Sequence, residues 1–384
     1  MENFSFINPV KIIFGKGTIQ QIKGEIPSNN KVLIMYGGGS IKKNGVYDQV
    51  ISALSGYDIY EFAGVEPNPH YETCMKVVDI IKEKGIDYLL AVGGGSVIDA
   101  TKFIVAAACY EGDDPWDILS KGAKIKKALP FGTILTLPAT GSEMNDGSVV
   151  SRVGTQEKLA FASPMVYPKF SVLDPTTTYT LPPRQVGNGV VDTFVHITEQ
   201  YLTHYEGDSM LQDRMFEALL KTIVAEGPKA LKTPTDYDVR ANLMWASTWA
   251  LNGWFGKGVP QDWATHMIGH EVTAFYGLDH AQTLAIVLPG VMELMKEQKA
   301  DKIKRLGKEV FGISYNSENI ISETIKSVEN FFEAMGVKTH LSDYGLGNEA
   351  INKVVTRLSE RGWKLGEARN ITPDIVKEIL LLRK

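Results

Sequence analysis

Tyr88-Leu89-Leu90-Ala91-Val92-Gly93-Gly94-Gly95-Ser96 decides the fold. An apolar run of strand length stops at three glycines, and Ser96 then stands as the N-cap of a helix running to about Cys109. The same pattern occurs earlier: Lys31 to Tyr36 is a buried strand run, stopped by Gly37, Gly38 and Gly39 before Ser40. Lys11 to Phe14, Tyr57 to Phe62 and Phe131 to Leu137 read as further strands. Between them, Val46, Val50 and Leu54 mark one helix. Tyr71 to Lys84 marks another, with Val77, Ile80 and Ile81 on one face and Gly85 as its stop. Strands alternating with helices predict a parallel, Rossmann-like α/β sheet with helices on both faces.

The pattern changes at Pro182-Pro183. Beyond it the periodicity is helical, as in the stripe Ile321, Ile325, Val328 and Phe332 with Gly336 as its stop. Thr372-Pro373-Asp374 has the form of a helix start. The sequence therefore predicts an α/β dinucleotide-binding domain over 1–182 and an all-helical domain over 183–384.

The helical half carries the densest chemistry. Asp192 and His196 are four apart, as are His266 and His270, and His280 follows. Residues four apart share a helix face, so each pair can point at one spot. One carboxylate with several imidazoles and no thiolate suits a borderline divalent metal such as zinc or iron(II). The competing reading, that each histidine is a surface or core polar residue, is not excluded by spacing alone.

The two triple-glycine turns let backbone N–H groups approach an anion. The second opens a helix, whose N-terminus favours phosphate, and so predicts a pyrophosphate at Gly94, Gly95 and Ser96. Two tight turns without a ligand would have the same sequence. Gly15-Lys16-Gly17 is a decoy, because Gln20 stands where a dinucleotide fingerprint needs its third glycine. Thr136 to Ser142 is a third candidate, a strand end rich in hydroxyls. No acidic residue closes the Lys31–Tyr36 strand to hold a ribose 2′-OH. Gly39 and Ser40, with Lys42 and Lys43 after them, suit the 2′-phosphate of NADP(H) over NAD(H). Lys42 and Lys43 are equally a solvated helix face.

The 384 residues allow a sizeable core, and a net charge of −5 without a basic stripe makes nucleic acid an unsuitable partner. Neither a leader pattern at Met1–Phe4 nor a membrane-length apolar run is seen. The two cysteines, Cys74 and Cys109, build no disulfide framework. A cytoplasmic protein is the expectation.

With these residues quoted, the chain resembles the iron-containing (group III) alcohol dehydrogenases, and within them the butanol dehydrogenase-like, NADPH-dependent aldehyde reductases. The likeness runs through Asn8 to Gly17, Tyr36 to Gly45, Gly93 to Asp99, Ala139 to Asn145, Val191 to His196, Trp263 to His270, and His280. It implies a fold like that of dehydroquinate synthase, with Asp192, His196, His266 and His280 as ligands of one Fe²⁺ or Zn²⁺ and His270 near the metal. By the same resemblance Gly37, Gly38, Gly39 and Ser40 meet the adenosine side. Gly94, Gly95, Ser96 and Asp99 meet the pyrophosphate and ribose, and Thr136, Thr140, Ser142 and Lys158 line the nicotinamide side. Homodimers are common among such enzymes. Ala281 departs from the glycine that many relatives carry after the last ligand.

The expected activity is hydride transfer between NADP(H) and a small aliphatic aldehyde or alcohol such as butanal or butanol, with His270 as the candidate proton relay. Rival readings are a polyol dehydrogenase or dehydroquinate synthase-like lyase on the same fold, a metal-dependent phosphohydrolase, and a non-catalytic nucleotide-binding protein. A lyase of that kind needs a basic cluster beside the metal motifs, which the sequence does not show. A phosphohydrolase leaves the glycine turns unexplained.

Overall fold

The computed structural model describes residues 1–384. Two compact units divide the chain. The first comprises Ile7–Leu181 and Pro234–Thr248, and the second Met1–Phe6, Pro182–Thr233 and Trp249–Lys384. The sequence points to two consecutive stretches, 1–182 and 183–384, and the partition by contacts differs from them at two places. Met244 is fully buried in the first unit's core, and Thr248 Oγ1 donates 2.6 Å to Glu143 Oε1, which ties Pro234–Thr248 to the α/β unit. At the other end, Phe6 meets Trp254 edge to face at 4.8 Å, and Glu2 N–H donates 3.0 Å to Gly258 O.

The α/β unit contains strands β1 (Lys11–Phe14), β2 (Lys31–Tyr36), β3 (Asp58–Ala63), β4 (Tyr88–Gly94), β5 (Phe131–Leu137), β6 (Gly147–Arg152), β7 (Glu157–Ala162) and β8 (Phe170–Leu173). Six of them form one sheet in the order β1-β8-β5-β4-β2-β3, with every neighbouring pair parallel. β4 and, beyond its first residue Lys31, β2 are continuously apolar because both their faces are covered. Helices α1 (Val46–Ala53), α2 (Tyr71–Lys84), α3 (Gly95–Ala107) and α4 (Asp117–Ser120) belong to this unit. One core layer gathers Leu33, Leu89, Phe103 and Phe131, and the opposite one Val32, Leu90, Ile134 and Val172.

The antiparallel β6–β7 hairpin was not anticipated. Its strands are half polar and lack a strong apolar alternation, so their pairing is set by β6 packing on α3. Ser96 is not the cap of α3: Gly94 takes that position, and the Ser96 hydroxyl accepts the Asn68 N–H at 3.3 Å.

The second unit is helical: α5 (Pro183–Tyr201), α6 (Met210–Lys232), α8 (Ala264–Tyr276), α9 (His280–Leu294), α10 (Ala300–Phe311), α11 (Ile320–Ala334), α12 (Asn348–Glu360) and α13 (Pro373–Leu382), while most of α7 (Tyr237–Ala250) lies in the first unit. Helix α9 is apolar on nearly all sides, as a central helix must be, and packs on α5, α8, α11 and α13. Asp279 caps it, accepting the Gln282 N–H while Gln282 Oε1 accepts the Asp279 N–H. No helix is long and apolar enough to cross a membrane.

Candidate functional site

Three helices bring the metal candidates together. Asp192 and His196 lie one turn apart on α5, His266 lies in the first turn of α8, and His280 opens α9. Asp192 Oδ1 is 3.4 Å from His196 Nδ1, 4.0 Å from His266 Nε2 and 3.7 Å from His280 Nε2. One donor atom from each of the four lies within 4.8 Å of all the others. Ligands about 2.1 Å from a tetrahedral ion stand about 3.4 Å from one another, so only a small contraction separates these donors from a coordination shell. Asp192, His196 and His266 are buried, whereas the His280 side chain keeps 22% of its exposure.

Metal binding needs neutral imidazoles. Burial pushes His196 down to about 4, against the opposing pull of Asp192, so it is neutral at pH 7. Three imidazoles, two of them buried, and one buried carboxylate fit a divalent ion.

His270 stands beside this group and outside it. Its ring centroid is 5.3 Å from that of His280 and 6.2 Å from that of His266. His204, His70 and His340 are away from the cluster, with His204 exposed. Trp263 packs its edge against His266 and His196, with centroids at 5.3 and 6.2 Å. It holds φ at +63°, a left-handed conformation that costs a non-glycine residue about 1–2 kcal/mol.

Sequence reasoning missed the polar groups behind the ligands. Glu199 is 2% exposed and makes a short hydrogen bond with His266 Nδ1. Burial pushes its carboxyl up, and the Thr265 and His266 N–H groups oppose this by favouring the ionised form. Lys299, also 2% exposed, donates 2.7 Å to Asp262 and 2.8 Å to Glu367. The available signal was Glu199 lying three residues after His196, on the same helix face.

The nucleotide candidates gather in the α/β unit. Counting outward, β2 leads to β3 on one side and β4 leads to β5 and β8 on the other, so the strand order reverses between β2 and β4. A crevice at such a reversal, outside the carboxyl ends of the strands, is where doubly wound sheets hold ligands. Gly37, Gly38, Gly39 and Ser40 follow β2 there, while Gly94 ends β4 and Gly95 and Ser96 open α3.

The second turn is also tightly packed. A Cβ on Gly94 would stand 2.9 Å from Leu137 Cβ. Thr140 Oγ1 accepts the Ser142 N–H at 3.2 Å, and Ser142 Oγ donates 2.5 Å to Asp99. Asp99 also accepts the Val149 N–H at 3.0 Å. Burial raises its carboxyl, against the nearby Lys102 ammonium and these hydrogen bonds. Thr136 is the penultimate residue of β5. Lys158 Nζ donates 2.8 Å to Asn68 Oδ1, and Asn68 reaches Ser96, which ties Lys158 to the Gly94–Ser96 turn. Lys42 is committed elsewhere, pairing with Glu61 at 3.1 Å over the Tyr47 ring.

Residues 9–175 match the family described as iron-containing alcohol dehydrogenase, and residues 187–382 match the Fe-containing alcohol dehydrogenase family, C-terminal. Over 383 residues the chain is 55% identical to the NADPH-dependent aldehyde reductase YqhD of Escherichia coli (strain K12), covering 99% of each chain. It is 43% identical over 386 residues to the probable NADH-dependent butanol dehydrogenase 1 of Bacillus subtilis (strain 168), again covering 99% of each. The crystal structure of Escherichia coli YqhD superposes with a TM-score of 0.98 at 54% identity, covering 100% of this chain and 99% of that one. That of NADH-dependent butanol dehydrogenase A from Thermotoga maritima gives 0.94 at 39% identity, with 100% and 99% covered. With both halves matched and relatives aligned end to end, the chain belongs to the iron-containing alcohol dehydrogenase family.

Proposed function

We propose that this protein is a metal-dependent aldehyde reductase and alcohol dehydrogenase that uses NADP(H) on small aliphatic aldehydes such as butanal. The observation that carries the reading is the convergence of Asp192, His196, His266 and His280 in a chain whose parallel sheet also has the strand-order reversal at which doubly wound sheets hold ligands. Asp192, His196, His266 and His280 hold one Fe²⁺ or Zn²⁺. When bound, the ion supplies Lewis-acid polarisation of a carbonyl, and the nicotinamide supplies the hydride.

The chain's own residues do the rest. His270, near His280 yet outside the donor group, holds the proton that the product oxygen needs. Gly94, Gly95 and Ser96 offer backbone N–H groups at the start of α3 to the pyrophosphate, with Asp99 toward the ribose. Thr136, Thr140, Ser142 and Lys158 line the nicotinamide side. Gly37, Gly38, Gly39 and Ser40 receive the adenosine end. The absence of a carboxylate at the end of β2 leaves room for a 2′-phosphate, which supports NADPH over NADH.

We place the enzyme in a cytoplasm, a setting consistent with the free thiols of Cys74 and Cys109. A homodimer is supported by apolar surface at the β1 edge, where Phe14, 40% exposed, meets Trp245, 37% exposed.

The test is NADPH oxidation with butanal, with NADH in parallel, on protein stripped of metal and then given Fe²⁺ or Zn²⁺. Metal-dependent turnover favouring NADPH is expected. His266→Ala should abolish metal binding and activity together while leaving the fold. Full activity in that variant, or no turnover with any aldehyde and metal, would overturn the reading.

A further inference from the structure

The metal ligands alone do not explain the polar network between α5 and α8. Glu199 lies on α5, one turn beyond His196, and is almost completely buried. Its Oε1 accepts the Thr265 N–H at 2.6 Å and the His266 N–H at 3.4 Å, two of the donors that a helix leaves open in its first turn. Its Oε2 makes the short contact with His266 Nδ1. The opposite ring nitrogen, Nε2, is the one that faces Asp192. A single carboxylate therefore holds the backbone and the imidazole of one ligand while it projects from the helix that supplies two others.

A second layer fixes the same junction. Asp262 N–H donates 2.9 Å to Glu199 O, and Asp262 Oδ1 accepts the Ala264 N–H at 2.7 Å. Lys299 Nζ bridges Asp262 to Leu202 O, each at 2.7 Å, and so joins the end of α5 to the residues before α8. The left-handed Trp263 sits inside this clamp.

We propose that Glu199 is a positioning residue for the metal centre. It holds His266 in the tautomer with Nδ1 protonated and Nε2 presented to the ion, and it strengthens that nitrogen as a donor. The proposal rests on the metal-binding reading above. It differs from a purely structural role, in which Glu199 only caps α8.

Glu199→Gln separates the two. Its amide oxygen can still accept the Thr265 and His266 N–H groups, so the cap survives. The amide nitrogen then faces His266 Nδ1 as a donor, which favours the tautomer with a proton on Nε2, the nitrogen the metal needs. The probe is Co²⁺, titrated against a chelator into the metal-stripped full chain and read by its visible absorption.

The expected result for E199Q is a loss of Co²⁺ affinity of about 10- to 100-fold. Its absorption bands change, while NADPH binding and the circular dichroism spectrum stay as in the unmodified protein. Glu199→Asp should recover part of the affinity. Unchanged affinity and absorption in E199Q would overturn the positioning role while leaving the metal centre standing. Failure of the unmodified protein to take up Co²⁺, or full uptake by His266→Ala, would overturn the metal-binding reading itself and the proposal with it. Should E199Q not fold, the unmodified protein decides the matter. With ¹⁵N-histidine labelling and Zn²⁺ bound, His266 should show metal at Nε2 and a proton at Nδ1, and metal at Nδ1 would overturn the proposal.

Discussion

Gly95 and Thr140 lock the β4–α3 turn against the end of β5: a Cβ on Gly95 would stand 2.5 Å from Thr140 Oγ1 and 2.6 Å from its Cγ2. Thr140 is a short, branched residue with no flexible end to swing aside. It also receives the Ser142 N–H, so moving it disturbs Ser142 and through it Asp99. Gly95→Ala should therefore displace the start of α3. Overpacking of this kind costs about 1–3 kcal/mol, and about 1.4 kcal/mol of it passed on to nucleotide binding raises the KM for NADPH about tenfold. Metal content should stay unchanged, because all four ligands belong to the other unit. Steady-state kinetics beside metal analysis checks this, and an unaltered KM would remove the β4–α3 turn from the nucleotide site.

Gly39 tests the choice of nucleotide. It has φ at +86° just after β2, where aspartate is among the better-tolerated side chains. A carboxylate there would face the 2′-phosphate of NADPH and accept a hydrogen bond from the 2′-OH of NADH. Gly39→Asp should lower the ratio of kcat/KM for NADPH over NADH by about 100-fold, because like charges brought together cost several kcal/mol. An unchanged ratio would mean that the 2′-phosphate lies elsewhere. Lys42 is not expected to substitute for this contact, since its ammonium is held by Glu61 and Tyr36 and Tyr47 crowd around it.

Removing His270 should separate proton handling from metal binding. His270→Asn keeps a polar group of similar size close to His280. One metal per chain should remain, while kcat falls by about 100-fold and one limb of the pH profile flattens. Full kcat with an intact profile would leave His270 as a wall of the pocket. Loss of metal would instead make it a supporting partner of His280.

Much of this was legible in the sequence, and the parts that were not share a physical cause. The strands β2, β4 and β5 were readable because a parallel strand covered on both faces is continuously apolar, and glycine ends it visibly. The ligand types and their pairing on α5 followed from a spacing of four. Their meeting with His266 and His280 did not, because it depends on how α9 packs against α5 and α8. Glu199 resembled any carboxylate on a helix, and its partner His266 lies 67 residues away. Ser96 looked like a cap because local preference favours serine there. In the structure α3 already begins at Gly95, so Gly94 takes the cap position. The return of Pro234–Thr248 to the α/β unit rests on contacts such as Thr248 with Glu143, which no local pattern announces.

The acid limb of stability should depend on Glu329 and Arg383. Glu329, on α11, accepts from Arg383 Nη1 at 2.5 Å, with both side chains about a tenth exposed. Arg383 follows α13 and also donates 2.8 Å to Thr339 O. Burial by itself would raise the Glu329 carboxyl, but Arg383 and Lys326 outweigh it and hold it below its ordinary 4.5. In the unfolded chain the carboxyl has its ordinary value. At neutral pH both forms are ionised, and the pair contributes fully to stability. As the pH falls through about 4.5, the unfolded chain takes up the proton first, so the contribution declines and is gone once the folded carboxyl is protonated too. Glu329→Gln leaves the buried guanidinium without its counter-charge and should cost about 2–3 kcal/mol at pH 7, somewhat below the loss for a fully buried pair. Urea unfolding at pH 7 and again near pH 3 checks this. The variant should fall below the unmodified protein at pH 7 and approach it at low pH. A difference of equal size at both would mean that Glu329 acts through packing alone and not through its charge.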